Sequence, residues 1–136
     1  MSPALLLELV DTCERREHGF RVAAEGVGDP PLRRLLESYA EQRAAFAREL
    51  RCELSRLGAA AGGHPETAPV TQTSGAVPTG DEAAIIAKCA RDEDAAINAY
   101  REALGSADEV VERQYQQLRE AYDHLRLLEE SRASAA

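Results

Sequence analysis

The chain has 136 residues and a formal net charge of −8. This length suits one domain with a sizeable single core. The acidic balance argues against nucleic acid as a partner, because phosphate binding needs clustered Lys and Arg. Only two Phe, four Tyr and no Trp are present, so Leu, Val, Ile and Ala must build the core. Together with abundant Glu and Arg, this composition predicts an all-α protein.

The sequence gives no indication of export or membrane insertion. Residues 1–10 include a short apolar run without a basic leader or cleavage site, which predicts the start of a helix and not a signal peptide. No apolar run approaches membrane-spanning length. Three cysteines in a chain without an export signal predict reduced thiols. We therefore expect a cytoplasmic protein that makes no contact with a membrane.

Four segments carry apolar residues at the three- and four-residue spacing of a helix. We expect one domain, 1–136, with helices at about 3–27, 31–57, 81–105 and 107–130. Asp29 and Asp81 are expected to cap the second and third helices. Residues 58–80 are rich in Gly, Pro, Thr and Ala without an apolar period, which predicts a flexible linker. Residues 131–136 are expected to fray.

Loop lengths favour a ferritin-like four-helix bundle. The short breaks between helices one and two, and between three and four, predict antiparallel hairpins. The middle connection of about 23 residues reaches ~75 Å when extended, whereas helix two is only ~40 Å long. The connection can therefore return along the bundle as a long crossover and leave helices two and three parallel. A plain up-down-up-down bundle remains an alternative.

Polar residues interrupt the apolar faces near the middle of each helix. Glu17, Arg43 and Glu93 do so on the first three helices, and Gln114 and Tyr122 do so on the fourth. Counting from the turns places these positions in one layer. A buried carboxylate needs a partner, a bound cation or a proton.

Two arrangements would satisfy such a layer. In the first, Glu17 and Glu93 flank the Arg43 guanidinium, with help from the Tyr122 hydroxyl. The second uses four carboxylates as ligands for one or two iron or manganese ions: Glu17, Glu41, Glu93 and Glu120. The chain has no Glu-x-x-His motif, and an arginine in the layer would repel a cation. The ion-pair arrangement is therefore our leading hypothesis, with no catalytic residue and no cofactor expected.

The three cysteines do not predict a shared site. Counted from the helix ends, Cys13, Cys52 and Cys89 lie at levels that differ by roughly 9 to 21 Å. These separations are too large for a disulfide or for shared metal ligation. We expect small core or boundary residues.

The order of four segments carries a family resemblance. The segments are EHGFRVAAE (17–25), YAEQRAAFAREL (39–50), EDAAINAYREAL (93–104) and RQYQQL (113–118). They resemble a bacterial family of ferritin-like four-helix bundles, the domain of unknown function 2383. The resemblance implies the fold and a bacterial origin, and no established activity. Ala90 and Tyr122 stand where the family has an acidic residue and a His, which removes two potential ligands.

Three functions follow as hypotheses. The first is a non-enzymatic ferritin-like bundle with a structural or stress-associated role that assembles as a small homo-oligomer. The second is a divalent-metal-binding relative with a weak or degenerate oxidoreductase-type site. The third is an adaptor that recruits a partner protein through residues 58–80.

Overall fold

The computed structural model describes residues 2–57, 81–106 and 108–135. These residues form helices and short turns and contain no strand. The elements are α1 (Pro3–Gly26), α2 (Pro30–Arg56), α3 (Glu82–Ala103), a 3₁₀ turn (Leu104–Ser106) and α4 (Glu109–Ala135). The predicted all-α four-helix bundle is confirmed. Residues 58–80, the predicted linker, lie outside the described residues.

Each helix begins at a polar side chain that accepts a backbone hydrogen bond. Ser2 accepts from Leu5 at 3.1 Å, and Asp29 and Asp81 accept at 3.1 and 3.2 Å in the first turns of α2 and α3. The Asp108 carboxylate accepts from two amides at the start of α4, at 2.8 and 3.3 Å. Such caps satisfy amides that have no partner within the helix and each contribute about 1 kcal/mol.

Contacts between α1 and α3 show that these helices run in opposite directions. The Glu82 carboxylate at the start of α3 accepts from the Gly28 and Asp29 amides just after α1, at 3.3 and 3.2 Å. Farther along, Cys13 in α1 contacts Tyr100 near the end of α3. Low residue numbers on one helix therefore pair with high numbers on the other.

The same reasoning gives the direction of α2 and α4. Tyr39 contacts His124, and the carbonyl of Phe46, farther along α2, accepts from Gln114, which comes earlier in α4. Helices α2 and α4 are therefore antiparallel, as are α1 and α2 across their three-residue connection. It follows that α2 and α3 run parallel. The long crossover itself would lie in 58–80, and it stays a prediction.

The core consists of two apolar clusters, one toward each end of the bundle. One cluster includes Leu6, Leu9, Phe46, Leu50, Ile97 and Leu118. The other includes Phe20, Leu32, Leu36, Ile85, Ile86 and Leu125. Between them, at mid-bundle, lie three buried charged side chains: Arg16, Arg43 and Glu93. The bundle therefore has a charged layer between two largely apolar halves.

Two sequence-based expectations about helix ends need correction. The fourth helix continues to Ala135, although its last residues were expected to fray. Arg132 explains part of this extension, because its guanidinium donates to Glu82 at the start of α3 at 3.5 Å. The predicted second helix, 31–57, included Leu57, but this residue lies just after α2 and is 48% exposed.

Candidate functional site

The charged layer, Arg16, Arg43 and Glu93, is centred on one carboxylate. The Arg43 Nη1 donates to Glu93 Oε1 at 2.8 Å, and its Nη2 donates to the other oxygen, Oε2. The Arg16 Nε donates to Oε1 at 3.1 Å. Neither Arg43 nor Glu93 is accessible to solvent. One glutamate from α3 is thus held by arginines from α1 and α2, and the bidentate contact with Arg43 is the stronger geometry.

Burying these charges is tolerable because nearly every polar atom has a partner. The Arg43 Nε donates to Gln42 Oε1 at 3.0 Å, and the Arg16 Nη2 donates to the Cys89 carbonyl at 3.4 Å. The Arg16 Nη1 lies 3.7 Å from the Asp92 carboxylate. Without these partners, each buried charge would cost several kcal/mol.

Two phenylalanines pack against the guanidinium groups. The Phe20 ring lies 4.3 Å from the Arg16 Cζ and 5.4 Å from the Arg43 Cζ. The Phe46 ring lies 5.7 Å from the Arg43 Cζ. A cation over an aromatic face is stabilised by the ring quadrupole. The only two Phe side chains of the chain therefore enclose the charged layer.

A second polar cluster lies toward the Leu50 end of the bundle. The Tyr100 hydroxyl donates to Gln114 Oε1 at 2.5 Å and lies 3.0 Å from the Cys13 thiol. Because the phenol has one proton, the thiol is the donor to the Tyr100 oxygen. The Gln114 amide nitrogen donates to the Phe46 carbonyl at 3.3 Å and to Glu49 at 2.8 Å. These contacts connect a buried thiol to a half-buried carboxylate.

Burial keeps the Cys13 thiol and the Tyr100 hydroxyl of this cluster protonated. Desolvation raises the pKa of the Cys13 thiol from 9.0 to about 11, and it raises the pKa of the Tyr100 hydroxyl well above its ordinary value. Desolvation also raises the pKa of the Cys89 thiol to about 11. Nucleophilic and metal-binding cysteines act as thiolates. At neutral pH both buried thiols are therefore in the less nucleophilic, protonated form.

The four carboxylates of the metal hypothesis do not come together. Glu41 and Glu120 are exposed, and Glu17 pairs with Arg21 at 3.0 Å on the surface of α1. Glu93 alone points inward. Helix geometry gives the reason: Glu41 lies two residues, about 200° of rotation, from the inward Arg43. Among the residues described, no three His, Cys, Asp or Glu side chains are grouped so that they could hold a metal ion.

Sequence reasoning located the ion-pair layer but chose the wrong partners for it. Glu17 was expected beside Arg43, yet the charged residue of α1 that points inward is Arg16. Both positions fit a step of three or four residues between Cys13 and Phe20, so periodicity alone could not separate them. The Tyr122 hydroxyl does not support the layer either; it accepts from Arg126 at 3.1 Å. The sequence analysis did not anticipate a second cation, Arg16, next to the buried Glu93.

The predicted cysteine positions are partly correct. All three thiols are free, with Cys13 and Cys89 buried and Cys52 exposed. Of the histidines, His124 contacts the Tyr39 hydroxyl at 3.1 Å and His18 is exposed. His64 lies outside the described residues.

Comparison with known proteins identifies the family. A family model described as a domain of unknown function, DUF2383, matches residues 4–106. The chain belongs to this family. The family named from the sequence segments is therefore confirmed over residues 4–106, whereas the ferritin-like fold and the bacterial origin that the resemblance implied stay predictions. The DUF2383 match extends from α1 through the 3₁₀ turn, so it contains the whole charged layer and ends before α4.

A search of curated proteins finds no match to the DUF2383 chain. Within the described ranges, no helix combines the length and the apolarity that crossing a membrane requires.

Proposed function

We propose that this DUF2383 protein is a non-enzymatic bundle of ferritin-like topology with a structural or stress-associated role. Its charged layer fixes how the helices pack, and its surface makes the protein contacts on which its role depends. The observation that carries this proposal is the state of Glu93. Both oxygens of this buried carboxylate accept from guanidinium groups.

The local charge supports a structural role for the layer. Two arginines face one glutamate, so a divalent cation would enter a region that is already positive and would have to displace a bidentate contact. A ligand set would also need Glu41 or Glu120 to turn inward from the surface. Both requirements oppose the metal-binding alternative.

The layer is suited to specifying one packing arrangement. Its three charges come from three different helices, α1, α2 and α3. If one helix slipped by a turn, at least one charge would remain buried without a partner, at a cost of about 3–5 kcal/mol. Two purely apolar surfaces would resist such a slip less strongly, so the layer selects a unique register.

The proposal also includes self-association in the bacterial cytoplasm. Three free cysteines are compatible with a reducing compartment. Leu7 on α1 and Leu127 on α4 expose large apolar side chains, at 47% and 64%. Sedimentation velocity tests this part: a dimer or larger species is expected, and a monomer at every concentration would contradict it.

Metal analysis tests the central part of the proposal. The purified protein would be incubated anaerobically with Fe(II) or Mn(II), desalted and analysed for bound metal. We expect that the desalted protein retains no near-stoichiometric metal whose binding requires Glu93. Metal that is retained by the wild type and lost in the Glu17→Gln, Glu93→Gln double variant would establish the metal-binding alternative. Glu112→Gln, at an exposed position, is the control.

A further inference from the structure

A groove between α1 and α3 exposes one end of the charged layer. Its volume is about 380 Å³, and its lining includes Arg15, Arg16, His18, Gly19, Lys88 and Asp92. Arg16 is almost fully buried, yet it belongs to this lining. The groove therefore gives solvent access to a guanidinium whose other side is deep in the core.

The three nitrogens of Arg16 are not equally satisfied. Nε donates to Glu93 at 3.1 Å, and Nη2 donates to the Cys89 carbonyl at 3.4 Å. Nη1 has no hydrogen bond within the described residues; Asp92, its nearest carboxylate, lies at 3.7 Å, beyond normal hydrogen-bond length. A guanidinium nitrogen carries donors that need an acceptor when they are withdrawn from water.

Gly19 leaves the space in front of this nitrogen open. A Cβ at position 19 would lie 2.9 Å from the Arg16 Nη1, which is closer than non-bonded atoms of this kind approach. Glycine in the middle of a helix costs about 1 kcal/mol relative to alanine. Its presence here keeps Nη1 accessible from the groove.

The balance of charge around Nη1 favours an anion. The Glu93 charge is shared between two arginines, so the layer carries an excess positive charge at its Arg16 end. Asp92 compensates it only in part, because this carboxylate is 40% exposed and also pairs with Lys88 at 2.7 Å. Lys88 adds a second cation to the rim.

We propose that this groove binds a small oxyanion, a phosphate group or a carboxylate, between the Arg16 Nη1 and the Lys88 ammonium. The anion accepts hydrogen bonds from both groups and balances the charge that Glu93 leaves uncompensated. Asp92 competes with it as a tethered carboxylate. The inference goes beyond the structural role of the layer and assigns the protein a ligand class.

Binding would be followed by NMR titration with inorganic phosphate and, separately, with acetate, at constant ionic strength set by chloride. A saturable shift of the Gly19 and Asp92 amides with either anion is expected. Saturation by phosphate alone assigns a phosphate ligand, and saturation by acetate alone assigns a carboxylate ligand. No saturable shift with either anion would overturn the proposal.

Four variants locate the site. Gly19→Ala should weaken binding about tenfold or more, the equivalent of one charge-assisted hydrogen bond. Lys88→Gln should weaken binding about as much, while Asp92→Asn should strengthen it because the competing carboxylate is removed. Gly28→Ala is the matched control, since a Cβ there meets no atom within 4 Å. Binding that is equal in the Gly19→Ala and Gly28→Ala proteins would overturn the assignment.

These experiments do not depend on the metal question. A failed titration removes the anion site and leaves the structural role of the charged layer intact. Conversely, metal bound through Glu93 would refute the structural proposal, whatever the phosphate titration shows.

Discussion

Arg43 and Glu93 form a bidentate ion pair at the centre of the bundle, with both side chains withdrawn from solvent. Arg43 lies on α2 and Glu93 on α3, two parallel helices at opposite corners of the bundle, each packed against α1 and α4. The pair therefore joins elements that are distant in sequence. Removing the pair should therefore destabilise the whole fold.

Arg43→Ala should destabilise the protein strongly. The substitution leaves Glu93 with only Arg16 as a charged partner and opens a cavity between Phe20 and Phe46. We expect a loss of about 3–5 kcal/mol in the free energy of unfolding, measured by urea denaturation. Arg48→Ala, at an exposed position of the same helix, should change it by less than about 0.5 kcal/mol. Equal effects of the two substitutions would contradict this account of the layer.

Gln114→Ala should destabilise the bundle through a different mechanism. The amide oxygen accepts from Tyr100, and the amide nitrogen donates to the Phe46 carbonyl. Truncation leaves a buried hydroxyl and a buried carbonyl without these partners, at about 1–3 kcal/mol. Gln116→Ala, at an exposed position two residues away, serves as the control in the same denaturation experiment. A Gln114→Ala protein as stable as this control would show that the contacts are dispensable.

Thiol labelling should distinguish the three cysteines. Cys52 is exposed, whereas Cys13 and Cys89 are buried and have a raised pKa. Because the thiolate is the reactive form, iodoacetamide at neutral pH should modify Cys52 rapidly. It should modify Cys13 and Cys89 only when the protein unfolds. Peptide mass spectrometry identifies the sites, and Cys52→Ser should abolish the rapid phase. Rapid labelling of Cys13 in the native protein would contradict its burial.

Stability should fall on the alkaline side. Burial raises the pKa of Cys13 and of Cys89 from 9.0 to about 11, and that of Tyr39 from 10.0 to about 12. Unfolded chains lose these protons at lower pH, so between about pH 9 and 12 the unfolded state binds fewer protons than the folded state. Stability is thus full below about pH 9 and declines above it.

Denaturation midpoints measured across this range test the linkage. Between about pH 8 and pH 11, the Cys13→Ala protein should lose less stability than the wild type loses over the same range. A wild-type profile that stays flat to pH 11 would argue against the raised pKa values.

Much of the fold followed from the sequence because helix formation depends on local patterns. Apolar spacing and the caps at Asp29 and Asp81 located the helices, and every end except that of α4 fell within about two residues of its expected place. The mid-bundle charges at Arg43 and Glu93 were also found, because they interrupt apolar faces. These features are encoded within one or two helical turns.

Local sequence patterns did not identify Arg16, the third charged residue of the layer. Arg16 and Glu17 are adjacent on α1, and choosing between them requires knowing how α1 is rotated toward α3. That rotation depends on the contacts of Arg16 with Glu93 and Cys89. Gly19 was a usable signal, since a helical glycine next to an inward position indicates a close approach. Rotation about the helix axis is also the reason that Glu41 and Glu120 lie on the surface, apart from Glu93.

A double-mutant cycle on Arg43 and Glu93 tests the central claim, that the charged layer is a structural device. The free energy of unfolding would be measured by urea denaturation for wild type, Arg43→Met, Glu93→Gln and the double variant. Each single change leaves one buried charge of the Arg43–Glu93 pair without the other, whereas the double change removes both charges of the pair. We predict that the double variant is more stable than the sum of the single effects implies, by about 2 kcal/mol or more. Additivity of the two single effects within about 0.5 kcal/mol would contradict the claim.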